Sequence, residues 1–162
     1  MNLFKKFSSK GFTLIELLIV ITIIAALAVT VFVALNPAQR LEDARDARRT
    51  SDVDSILTAI HEYIVDNAGS YPTGLAANTP ISQLGTGATG CSGAVGVCTI
   101  AVAQDACLNL TTDLAPYLKS IPLDPLNGTA VETQYAVAVD TNGIVTVTSC
   151  GTEGATTIEA SR

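Results

Sequence analysis

Tryptophan is missing from these 162 residues, histidine and methionine occur once each, and aromatic residues make up only 5%. Cations are scarce as well: 9 Lys and Arg stand against 15 Asp and Glu, a formal net charge of −6. Phosphate binding by bulk attraction needs clustered Lys and Arg, so that mode of nucleic-acid binding is excluded. The lone histidine, His61, has no Ser, Cys or carboxylate constellation around it and is read as a packing or surface residue. With no nucleophile–base set in view, no enzyme and no cofactor are expected. The cysteines at 91, 98, 107 and 150 are spaced by seven, nine and forty-three residues, which does not make a CxxC-type metal site.

What the chain has in abundance is one apolar run. Phe12 to Leu35 reads FTLIELLIVITIIAALAVTVFVAL, interrupted only by threonines and by Glu16. About 20 apolar residues at roughly 1.5 Å each cross a bilayer as a helix. Lys5, Lys6 and Lys10 precede the run, and basic flanks stay cytoplasmic, so the rest of the chain is expected outside. A carboxylate in such a segment is costly and demands a function. A plain membrane anchor gives Glu16 no purpose. A secretory signal peptide cut after Ala26-Leu27-Ala28, to start the chain at Val29, leaves it equally unexplained.

The junction Lys10-Gly11-Phe12-Thr13-Leu14-Ile15-Glu16 closely resembles the prepilin cleavage and methylation motif of type IV pilins and type II secretion pseudopilins. The resemblance implies cleavage after Gly11, N-methylation of the new terminus Phe12, and a role for Glu16 in assembly. It also implies self-association into a helical filament, with a prepilin peptidase, an assembly ATPase and a membrane platform protein as partners. Losing the leader, residues 1–11, takes Lys and Arg from 9 to 6 and the net charge from −6 to −9.

Residues 36–69 read as the amphipathic continuation of the helix, loosened by Pro37. Leu41, Ala44, Val53, Ile56, Leu57, Ile60 and Ile64 mark one stripe at helical spacing. Glu42, Asp43, Arg45, Asp46, Arg48, Arg49, Asp52 and Asp54 lie between, read as intrahelical pairs mixed with contacts to a neighbouring subunit. Asn67-Ala68-Gly69 stops the helix. Residues 70–162 form the head. Asn78 to Cys98 is expected as a long loop with one short hairpin, and Thr111 to Ser120 as a helix capped by Thr111 or Thr112. Tyr135 to Asp140 and Ile144 to Ser149, around Thr141-Asn142-Gly143, form a hairpin, and the tail Gly151 to Arg162 is expected to fray apart from its first few residues.

The head resembles the major pseudopilin of type II secretion at Tyr71-Pro72-Thr73, Pro122-Leu123-Asp124-Pro125, Tyr135 and Ser149 to Gly154, and departs from it at Leu126, where that family usually has tryptophan. The resemblance raises a calcium site at Asp124, Asn127 and Glu153. Calcium takes six to eight oxygens, however, and an Asp satisfying turn donors is the simpler reading, so no metal is assigned. Four exported cysteines imply two disulfides with three possible pairings. Cys91–Cys98 with Cys107–Cys150 is the expectation adopted; the sequence leaves the other two open.

The fold expected is α+β: a long N-terminal helix, membrane-spanning in its first half, packed on a small antiparallel sheet. The function expected is a filament subunit, held in the inner membrane as a precursor and carried to the cell surface on assembly. The alternatives are a major pseudopilin and a monomeric membrane-anchored binding domain.

Overall fold

A computed structural model describes residues 11–89, 91, 94–95, 98–99, 106–154 and 157–162. The leader lysines and much of the Gly/Thr-rich loop lie outside the described residues. The chain divides into two compact units, one ending at Arg40 and the other running from Leu41 to Arg162.

In the first unit, α1 spans Leu14–Leu35 and buries none of its residues. Its 22 residues reach about 33 Å, enough to cross a hydrocarbon core of roughly 30 Å. Thr22 and Thr30 donate their hydroxyls to the carbonyls of Ile19 (2.7 Å) and Leu27 (2.8 Å), so these polar groups are satisfied within the helix itself. The break falls at Asn36, one residue before the expected proline. Asn36 adopts a left-handed conformation (φ 38°) that an Asn side chain tolerates, and it caps α1. Pro37 then opens α2, Pro37–Asp66, at the position where its missing N–H is no loss. Ala68 (φ 53°) and Gly69 (φ 87°) turn left-handed after α2, and the Gly69 N–H bonds back to the Ile64 carbonyl at 2.8 Å, as the Asn-Ala-Gly stop predicts.

In the second unit a four-stranded antiparallel sheet runs in the order β1 (Ser82–Gln83), β4 (Tyr135–Val139), β5 (Val145–Ser149), β6 (Glu159–Ser161). β4 and β5 are the expected hairpin, in register from Tyr135 opposite Ser149 to Val139 opposite Val145. Alternation along β4 turns Tyr135, Val137 and Val139 to the core with Val53, Ile56, Leu57 and Ile60 of α2. Ala136 faces the other way and meets Cys98 and Cys150. A separate hairpin joins β2 (Ala94–Val95) to β3 (Cys98–Thr99).

Four expectations need correction. The tail does not fray: β6 pairs with β5, and Val145 and Arg162 exchange backbone hydrogen bonds of 2.8 and 3.0 Å. The helix expected to Ser120 is one turn, α3 (Thr111–Leu114), since Pro116 has no donor to continue the ladder. Neither threonine caps it; the Asn109 side chain accepts the Thr111 N–H at 3.1 Å. The stripe on α2 begins later than expected, because Leu41 is 60% exposed and Ala44 is exposed too, while the first buried side chain of the helix is Arg49. Lastly, the disulfides are Cys91–Cys107 and Cys98–Cys150, with Cα separations of 5.0 and 4.8 Å. Cys98 belongs to a strand and is buried beside Ala136, so it faces the residue that follows β5 instead of closing its own loop.

Candidate functional site

The N-terminal site is built by a helix cap. Gly11 to Thr13 are outside the helix, and Phe12 is 89% exposed. Thr13 is the N-cap in extended backbone. Its hydroxyl accepts the Glu16 N–H at 3.3 Å, while one Glu16 carboxylate oxygen accepts both the Thr13 N–H and the Thr13 hydroxyl at 2.8 Å. This reciprocal box satisfies two otherwise orphaned helix donors. A negative group at the helix N-terminus is also favoured by the dipole. The Glu16 carboxylate is therefore held at the head of α1, and the Gly11–Phe12 bond lies just before it in exposed, non-helical chain.

The second constellation surrounds Arg49, whose side chain is fully buried. Its guanidinium grips Asp124 in bidentate fashion, with Nε to Oδ2 at 2.5 Å and Nη2 to Oδ1 at 3.3 Å. Nη1 donates to Asp46 at 2.7 Å and to Glu153 at 2.8 Å. Arg45 takes Glu153 from the other side with two bonds of 2.5 Å. Asp46 in turn accepts the backbone N–H groups of Glu153 (3.2 Å) and Gly154 (2.9 Å). Asp124 also closes its own turn, accepting from Leu126 and Asn127 at 2.9 Å each. Gly128 completes that turn; a Cβ there would lie 2.2 Å from the Asp124 nitrogen, so only glycine fits.

Charge states follow from these contacts. Burial alone would raise the Asp124 carboxyl, but Arg49 and the turn N–H groups outweigh it and hold it below the usual range. Asp46 behaves alike, burial opposing Arg49 and the N–H groups of Gly154 and Glu153. Hydrogen bonds from Arg45 and then Arg49 depress Glu153 to about 2. Close by, burial and the Asp52 carboxylate push the Tyr135 phenol up, its hydroxyl donating to Asp52 at 2.9 Å. These bonds fasten α2 to the turn at Asp124 and to the segment after β5.

Residues 6–32 match the family model of the prokaryotic N-terminal methylation motif. A motif of this kind marks the class III signal peptide of type IV pilins and pseudopilins. No curated protein and no solved structure matches the chain.

The match runs across the pilin-type junction and most of α1, and together with that apolar helix it fits a membrane-anchored precursor. Gly11, Phe12 and Glu16 fall within it; the Thr13 cap holds Glu16, and Gly11 and Phe12 precede it in non-helical chain. The carboxylates raised as calcium ligands are engaged otherwise in the head of this pilin-like chain: Asp124 and Glu153 converge, but on guanidinium groups. Asn127 contributes its backbone N–H to Asp124. Among the described residues no three His, Cys, Asp or Glu side chains are grouped to hold a metal. His61 remains half-buried on α2 with Nε2 unpartnered. The sequence reading missed Arg49 and Arg45 as tertiary anchors. The available signal was four arginines within ten residues of a helix that also carries the stripe, more than intrahelical pairing requires.

Proposed function

We propose that this chain is the structural subunit of a type IV pilus-like filament, cleaved after Gly11, N-methylated at Phe12 and assembled through α1. One observation carries the reading: the Gly-Phe-Thr-Leu-Ile-Glu junction stands ahead of a helix with no buried residue, whose one carboxylate is bonded, among the described residues, only within its own cap. A helix apolar on every side exchanges lipid for identical neighbours with little hydrophobic gain, so register must come from polar groups. Cleavage creates an amine at Phe12, about one turn from Glu16. In a filament core each charge alone is strongly unfavourable, and pairing Glu16 with the Phe12 amine of an adjoining subunit removes that cost.

The experiment compares filament yield in sheared surface fractions with cleaved subunit in membranes. Glu16→Ala is expected to leave insertion and cleavage intact and to cut filament yield sharply. Glu16→Gln is expected to be impaired too, since it keeps the shape but leaves the amine uncompensated. Wild-type fibre levels from Glu16→Ala would sink the assignment. Mass spectrometry of the N-terminal peptide should find methylated Phe12; a start at Val29 or an intact Met1 speaks against a pilin-type precursor.

A second reading, the major pseudopilin of a secretion system, is favoured by a specific convergence. The stretches resembling that family, around Asp124, Tyr135 and Glu153, meet beside Arg49 and Asp52. Deleting the gene separates the two: loss of secreted enzymes with surface fibres unchanged favours the pseudopilin, and loss of fibres alone favours the pilus.

A further inference from the structure

Charge is segregated along α2. Its four arginines, Arg40, Arg45, Arg48 and Arg49, all precede Thr50; beyond that point come Asp52, Asp54, Glu62 and Asp66 with no Lys or Arg. Acids in the C-terminal half of a helix oppose the dipole, and the last turn has no basic residue to offset them. The outer face of this half forms the floor of an open groove of about 600 Å³, with small side chains such as Ser51 and Ser55 as its base and Tyr117 as one wall. Thr58, Glu62 and Tyr117 continue it into a second hollow, bordered by Val65, which is 77% exposed. At the far end Asp66 already accepts the Tyr117 hydroxyl at 2.9 Å and Arg162 borders the groove. Asp54 and Glu62 are the open acids, exposed and without an ion pair among the described residues.

The complementary charge is on the same molecule. Arg45 and Arg49 are committed to Glu153 and Asp124. Arg48 is not: its side chain is 63% exposed and its nearest carboxylate, Asp52 at 3.7 Å, already accepts from Tyr135. We propose that the acidic groove of one subunit receives the Arg48 face of a second copy of this chain. The inference rests on the filament reading and deepens it by naming the contact between heads. With Arg48 of each subunit entering the groove of the next, the contact repeats without closure and propagates as an open helical array. Small groove residues let a neighbouring helix approach, and opposite charges fix which face enters.

The test is a charge swap in the full-length protein. Arg48→Glu, and separately Asp54→Lys with Glu62→Lys, are each expected to lower filament yield about tenfold relative to cleaved, disulfide-bonded subunit in membranes, and all three together to recover most of it. Wild-type yield from either reversal, or no recovery in the combination, overturns the contact. Absence of fibres from the unmodified protein overturns the filament reading and this contact with it, whereas fibres indifferent to the reversals overturn the contact alone. A second measurement does not depend on charge-reversed subunits folding. Arg48→Lys keeps the charge, and Lys119 is the one lysine beyond the leader. Carbodiimide treatment of Arg48→Lys filaments should join position 48 to Asp54 or Glu62 of another subunit, and fibres without that product defeat the proposal.

Discussion

Arg49 and Asp124 are both wholly out of water, and among the described residues Arg49 is the one cation that Asp124 pairs with. Arg49→Met should therefore strand a buried charge and destabilise the head by about 3–5 kcal/mol, measured by urea unfolding of detergent-solubilised protein. Arg48→Ala, which removes an exposed side chain, should change monomer stability by only about 0.5 kcal/mol. Equal effects would contradict the geometry. The pH dependence has a definite sign. Glu153 sits at about 2 in the folded chain against an ordinary 4.5, so its contribution is fully present above about 4.5 and is lost as pH falls towards 2. Asp124 and Asp46 are depressed as well and act in the same direction. Thermal unfolding should therefore fall steeply below pH 4.5, and Glu153→Gln should flatten part of that fall. A profile for Glu153→Gln parallel to that of the unmodified protein would remove Glu153 from the account.

Elements fasten one another in this head through two disulfides of unequal reach, with sequence separations of 16 and 52. Chain entropy alone makes the shorter worth roughly 3 kcal/mol and the longer roughly 4. Cys98→Ser with Cys150→Ser should thus destabilise more than Cys91→Ser with Cys107→Ser, read by denaturant midpoints under matched conditions. Peptide mapping without reductant should recover the two pairs as Cys91–Cys107 and Cys98–Cys150, and a Cys91–Cys98 peptide would refute that connectivity. How far these elements are legible in the sequence depends on where their partners lie. α1 shows as an unbroken apolar run, and β4 and β5 as alternation around a turn, because each pattern is local. β1 has two residues and β6 three, too few for a period, and both exist by pairing with the β4–β5 hairpin, which for β1 lies far along the chain. The burial of Arg49 is hidden for the same reason, since Asp124 and Glu153 lie 75 and 104 residues away. At the N-terminus the Thr13–Glu16 cap is local, its partners three residues apart, so its pattern stands in the sequence although the sequence reading missed it.

For the whole molecule, the proposed cleavage after Gly11 would remove three lysines and no carboxylate, leaving six cations against 15 carboxylates. Mature subunits should repel one another in dilute solution, and filament yield should rise with moderate salt until screening also weakens the Arg48 contact. Assembly that falls monotonically from the lowest salt would argue that this repulsion is unimportant.

Residues 149–154 have a consequence for biogenesis. Ser149 ends β5, Cys150 is bonded to Cys98, and Glu153 receives Arg45 and Arg49. Cys98, Arg45 and Arg49, which this hexapeptide ties, are all made before it. If α1 is inserted first and the head is exported, as the proposed function requires, the head cannot close until the hexapeptide has itself crossed. Cys98 would then wait for its partner Cys150 in the compartment that supplies the oxidant. Nascent chains stalled before residue 149 should stay protease-sensitive outside the membrane, and maturation should be governed by the arrival of this late segment.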